Sequence, residues 1–197
     1  MKSFTAILLL LLAIAAPVGG AHGAMPAPPS DGTEPGVNER LGEVVPADIA
    51  FYDPAGERVL LGSLIKRPTI LLPAYYGCTD ICPAAISDLS SLLGRLESVP
   101  AADYSVITVS FDENDTPAAA LSKKRDYIKA IGRPFPEEGW RFLTGDKENI
   151  SRLLQSLGYG LKREDKGFSH PSGLVVLSPE RKIIRYIYGS GYMPAEV

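Results

Sequence analysis

Cysteine and histidine are scarce in this chain: two of each in 197 residues, with a single tryptophan. One histidine, His22, sits near the N-terminus, which leaves His170 as the lone imidazole for a folded domain. Little is therefore available for acid–base work near neutral pH. Basic charge is not in excess: 20 Lys and Arg stand against 23 Asp and Glu, a formal net charge of −3. A nucleic-acid partner would want a basic face, so none is expected. No Gly-rich phosphate loop, no Ser–His–Asp arrangement and no internal repeat occurs. With 45% apolar residues the chain is not disordered wholesale. Its length suits one domain with a real core and hardly two.

What is present begins with an export pattern. Lys2 precedes "FTAILLLLLAIAA", Phe4 to Ala16, an apolar run of signal-peptide length and short for a membrane span. Pro17, Gly19 and Gly20 break it, and Ala21, Gly23 and Ala24 are small residues suited to cleavage. No lipobox cysteine follows, which excludes a lipoprotein. Residues 1–24 are therefore read as a signal peptide and the chain as exported, periplasmic or on the outer face of an inner membrane. An uncleaved signal would act instead as a membrane tether. Residues 25–40, rich in Pro, Gly and charge without periodicity, read as a flexible linker. The folded domain is expected over residues 41–197.

Within that domain, "IAFYDPAGERVLL" predicts a hairpin turning at Asp53–Gly56. "TILLP", Thr69–Pro73, and "YSVITVS", Tyr104–Ser110, are unbroken runs of the kind buried on both faces. Ala85, Leu89, Leu92, Leu93 and Leu96 recur at helical spacing. Thr116–Pro117 starts a second helix, and Ile150, Leu153, Leu154 and Leu157 mark a third, stopped by Gly158. "WRFLTG" is a short strand and turn; "SGLVVLS" and "IIRYIYG" flank "PERK" as a closing hairpin. Strands alternating with helices point to an α/β domain with a mostly parallel sheet. The order matches a thioredoxin-like fold: a central mixed sheet flanked by helices, with an N-terminal β-hairpin.

Both cysteines fall in "YYGCTDICP", Tyr75 to Pro83. Pro83 belongs in the first turn of a helix, which puts Cys82 near the helix start and Cys78 in the preceding loop. A helix N-terminus favours a thiolate. The C-x3-C spacing permits a disulfide without forcing it, and it equally lets two sulfurs reach one metal. Outside the cytoplasm a plain disulfide is the default for two thiols; as a mere staple it would close a tiny loop and stabilise little. In a thioredoxin-like domain the loop before the late strand "SGLVVLS" lies beside the cysteine loop, and His170 in "GFSHPSG" is in that loop. Structural zinc wants four protein ligands, and no fourth cysteine or histidine is at hand. Two thiolates with one imidazole suit copper, as Cu(I) or Cu(II).

"YYGCTDICP", "VSFDENDTP" and "GFSHPSG", in this order, resemble the Sco/SenC family of copper-binding, thioredoxin-like proteins. The resemblance runs from about Leu41 to the end. It implies that Cys78, Cys82 and His170 are copper ligands and that Asp112 supports the site from a second shell. It also implies an exported metallochaperone that delivers copper to the copper-site subunit of a respiratory cytochrome c oxidase, or to another copper protein, or reduces its thiols. The alternative is an enzyme: a thiol–disulfide oxidoreductase or thiol peroxidase that uses Cys78 and Cys82 as a redox pair without metal. Two departures from the family pattern stand out. Glu113 occupies a position where the family often has Pro, and Pro171 follows His170 where a small residue is more usual. Proline there restricts His170 toward extended backbone. Pro194 reads as the start of the family's C-terminal helix, which is expected to be missing or truncated here.

Overall fold

The computed structural model of the chain describes residues 34–78, 81–189 and 191–197, without the side chain of residue 81. The expected signal peptide and the linker up to residue 33 lie outside the described residues. The elements run β1 (Gly36–Val37), β2 (Ala50–Tyr52), β3 (Arg58–Leu60), α1 (Leu61–Leu64), β4 (Thr69–Ala74), α2 (Ile81–Arg95), β5 (Ser105–Ser110), α3 (Pro117–Ala130), β6 (Trp140–Leu143), α4 (Lys147–Ser156), β7 (Tyr159–Gly160), β8 (Lys162–Glu164), β9 (Gly167–Ser169), β10 (Gly173–Leu177) and β11 (Ile183–Tyr188). Five strands form the central sheet in the order β11-β10-β4-β5-β6. β4, β5 and β6 are parallel, while β10 runs antiparallel to both β4 and β11. Helices flank this mixed sheet, and β2 and β3 form the expected N-terminal hairpin. This is the thioredoxin-like architecture.

Every residue of β4, β5 and β10 is buried. That is why these strands read as continuous apolar runs rather than alternating ones. The β10 ladder covers only Thr69, Leu71 and the residue between them. Pro73, which has no N–H to offer, therefore falls where β4 has lost that neighbour. α3 opens as its sequence indicates: Pro117 stands in the first turn and the Thr116 side chain accepts from the Ala119 amide. At α4 the Asp146 side chain accepts from the Asn149 amide in the same way. α2 and α3 pack on each other, and the Ser90 hydroxyl donates to the Tyr127 carbonyl at 3.2 Å.

Two features depart from the sequence reading, and a third describes the C-terminal segment. The fold begins before Leu41: Gly36 and Val37, inside the stretch read as linker, pair with Gly160 and Tyr159. Ahead of the loop that holds His170 stands a two-stranded ribbon, β8 with β9, which the sequence reading does not include. Pro194 opens only a 3-10 turn, Pro194–Glu196. Among the described residues no helix is long and apolar enough to cross a membrane.

Candidate metal centre

In sheets with parallel strands, ligands gather beyond the carboxyl ends of the strands. Here that end of β4 runs into the cysteine loop and that end of β5 into residues 111–116. The two are tied by the Phe111 amide donating to the Ala74 carbonyl at 2.8 Å. β10 is antiparallel to β4 with Val175 against Leu71, so the chain approaching Gly173 passes the same end. This register is what carries His170 to the cysteines.

The donor atoms of Cys78, Cys82 and His170 lie within 4.8 Å of one another. Cys82 Sγ and His170 Nε2 are 3.5 Å apart. A metal centred among three such donors, about 2.3 Å from sulfur and about 2.0 Å from nitrogen, would need them roughly 3.7–4.0 Å apart. The trio meets that spacing with small adjustments. It is a half-closed set: both cysteines are buried and His170 is partly exposed. Among the described residues no fourth Cys, Asp or Glu joins it.

α2 begins at Ile81, so Cys82 stands in the first turn and Cys78 in the loop before it, as the position of Pro83 indicates. The Cys82 amide donates to Cys78 Sγ at 3.4 Å, which puts the open end of the helix against that sulfur. The expectation that the helix start would acidify the thiols fails at Cys82. Burial pushes the Cys82 thiol well above its ordinary range, outweighing the backbone hydrogen bond that opposes the shift.

His170 is held from two sides. Its Nδ1 lies 2.7 Å from the Pro171 carbonyl. A carbonyl only accepts, so Nδ1 carries the proton and Nε2 presents its lone pair to Cys82. Pro171 therefore aims the ring inward. The ring also packs edge-on against Phe111 and Tyr75, with centroids 5.0 and 6.0 Å away. Phe168, two residues before His170, completes the cluster at 5.2 Å from Tyr75 and 5.3 Å from Phe111. The Tyr75 phenol is hydrogen-bonded to Cys78, and burial, with that contact second, pushes it up to about 12. Gly167, at φ +99°, allows this contact: a Cβ there would stand 2.5 Å from the Tyr75 oxygen.

Asp112 does not touch the trio. Its Oδ1 accepts from the amide and side chain of Asn114 and lies 3.7 Å from Arg163. Arg163 also meets Glu113 at 2.6 Å and covers the Phe168 ring at 4.4 Å. Asp112 thus reaches His170 indirectly, through its chain neighbour Phe111 and through Arg163 on the ribbon. The carboxylate that grips the cysteine loop is Asp115, which accepts from the Tyr76 amide and the Ser110 hydroxyl, each at 2.6 Å. Sequence reasoning missed it, although it lies in the same "FDENDTP" stretch, because local spacing does not show which acid turns inward.

A thioredoxin-like domain with two thiols and one imidazole converging beyond its parallel strands is the class defined by this fold and site. The SCO1/SenC family model matches residues 39–196. The chain belongs to the SCO1/SenC family. It is 27% identical over 131 residues to a protein of Stutzerimonas stutzeri provisionally named as copper-binding, covering 64% of this chain. The chain spans 60% of that relative's length. Among solved structures it is similar to a protein of Aquifex aeolicus VF5 provisionally assigned to electron transfer, with TM-score 0.72 and 33% identity, covering 80% of this chain and 89% of that one. It is also similar to BsSco, a member of the Sco family of cytochrome c oxidase assembly proteins in which a disulfide switch was identified. That likeness has TM-score 0.61 and 26% identity, covering 82% and 90% of the two chains.

Proposed function

We propose that this chain is an exported copper-binding protein that carries copper to the copper site of a respiratory cytochrome c oxidase. The observation that carries this reading is the convergence of Cys78, Cys82 and His170 donor atoms within 4.8 Å. Two soft sulfurs with an imidazole suit copper in either oxidation state, and three donors fall short of the four that structural zinc takes. Support for copper comes from the copper-binding name of the Stutzerimonas relative. Support for the oxidase comes from the assembly role of the Sco family to which BsSco belongs. Export rests on the N-terminal sequence pattern alone.

In this reading Cys78 and Cys82 give up their protons and hold copper as cargo, while His170 offers Nε2. A partner's thiols then displace them, which the exposed side of the imidazole leaves room for. Copper titration of the reduced chain tests this. One copper per chain is expected, with stoichiometric binding lost in both Cys78→Ser and His170→Ala. A His170→Ala chain that bound copper as the native chain does would remove the three-ligand site.

One observation favours a second reading. The two sulfurs are close, and Cys78 Sγ already takes an amide hydrogen bond at the helix start. The same pair could reduce a partner's disulfide, becoming oxidised as the partner gains two thiols. His170→Ala should leave that exchange intact.

A further inference from the structure

We propose that Tyr159 is a positioning residue for His170: by holding the Pro171 carbonyl, its hydroxyl fixes which ring nitrogen carries the proton and aims the other at the two sulfurs. This rests on the reading of His170 as a copper ligand.

Tyr159 opens β7, which packs against α4, and its side chain is part of the hydrophobic core of the domain. His170 and Pro171 lie in the loop between β9 and β10. The Tyr159 hydroxyl crosses between the two and donates to the Pro171 carbonyl, its only hydrogen bond among the described residues. The same oxygen accepts from His170 Nδ1 at 2.7 Å. One carbonyl, with two lone pairs, thus takes two donors.

The consequence follows from geometry. The His170–Pro171 backbone is stiff, since proline locks its own φ and holds the preceding residue extended. The remaining freedom is rotation of the Pro171 peptide, which would carry its oxygen away from the ring. Tyr159 removes that freedom. Its phenol is buried, with a relative exposure of 4%, and its backbone is held because Asn38 donates to the Gly158 carbonyl at 2.7 Å. With the oxygen pinned, Nδ1–H is the stable tautomer and the Nε2 lone pair faces Cys82 Sγ 3.5 Å away. A metal-bound histidine commonly needs such a second partner to set its tautomer and direction, and losing one typically weakens metal binding about 10–100-fold.

The test uses the reduced, metal-free chain labelled with nitrogen-15 at histidine. In the native chain the His170 ring should show a protonated Nδ1 and a bare Nε2, with a nuclear Overhauser contact from Nδ1–H to the Tyr159 ring. Tyr159→Phe should give a mixture of tautomers, a broadened copper(II) spectrum and copper affinity lower by about 10–100-fold. Tyr186→Phe loses two phenol bonds, one donated to the Leu157 carbonyl at 2.9 Å and one accepted from the Arg40 amide at 3.1 Å, and should leave the His170 ring unchanged. A native ring protonated at Nε2, or a Tyr159→Phe ring identical to native, would overturn the proposal. The native-chain measurement can still overturn the proposal where the variant does not fold. Copper binding unaffected by His170→Ala would instead remove the three-ligand reading, and the metal-free ring would still report on Tyr159 by itself.

Discussion

Among single residues, Asp115 holds the cysteine loop most directly. It takes two hydrogen bonds of 2.6 Å, from the Tyr76 amide and from the Ser110 hydroxyl. Bonds to a charged acceptor contribute about 1.5–3 kcal/mol each, and removing the acceptor leaves its donors stranded. Asp115→Ala should therefore lower unfolding free energy by about 2 kcal/mol in urea titration and also weaken copper binding, because the loop carrying Cys78 loses its anchor. Full stability with native copper affinity would show that the loop is held some other way. Asp112→Ala should do much less to either quantity, since its ion pair with Arg163 is long, at 3.7 Å, and exposed on the arginine side, and such pairs contribute about 0–1 kcal/mol. The two acids stand three residues apart in one short stretch, and only their side-chain directions separate them.

At the scale of elements, the join between β1 and β7 ties the start of the domain to the site. Gly158 has φ +62°, and a Cβ there would come within 1.8 Å of the Asn38 carbonyl oxygen. Both the left-handed backbone and the close approach require glycine. Gly158→Ala should cost about 2 kcal/mol or more and raise amide exchange at residues 36–40, as read by hydrogen–deuterium exchange. Exchange at native rates would mean that the pairing does not depend on this glycine. The β8–β9 ribbon is the other element that matters, because it delivers His170. Its composition is charged and short of apolar alternation, "LKREDKGFSH", so periodicity gives it no signal. The one clue is Gly167 after Asp165 and Lys166, a turn signature. Its cohesion comes instead from Phe168 in the aromatic cluster and from Arg163 on Glu113, contacts far apart in sequence.

Across the whole molecule, buried acids that stay protonated set the alkaline limit of the reduced, metal-free state. Burial raises Cys82, Tyr76 and Tyr159 well above their ordinary ranges. In the unfolded chain a cysteine loses its proton near about pH 8.5 and a tyrosine near about pH 10. The folded state keeps these protons to higher pH, so above those values it binds more protons than the unfolded chain. Their contribution to stability is whole below that range and is lost as pH rises through it. Urea midpoints should fall between pH 8 and pH 10.5, and Cys82→Ser should lessen the fall. A midpoint that held steady or rose would contradict this balance.

Much of this protein is determined locally. The buried strands, the capped start of α3, the position of Cys82 in the first turn of α2 and the pair of thiols all follow from short-range spacing and residue type. These are properties of neighbours along the chain, so periodicity and backbone preference reveal them. The tertiary structure alone decided that β10 runs antiparallel beside β4, that Asp115 rather than Asp112 turns toward the cysteines, and that Tyr159 meets Pro171. It also reversed the acidity expected for Cys82, because burial depends on what packs above a thiol and not on its place in a helix. The Sco/SenC motifs placed His170 beside the sulfurs only through an assumed fold. The register of two strands separated by about a hundred residues is what brings it there in space.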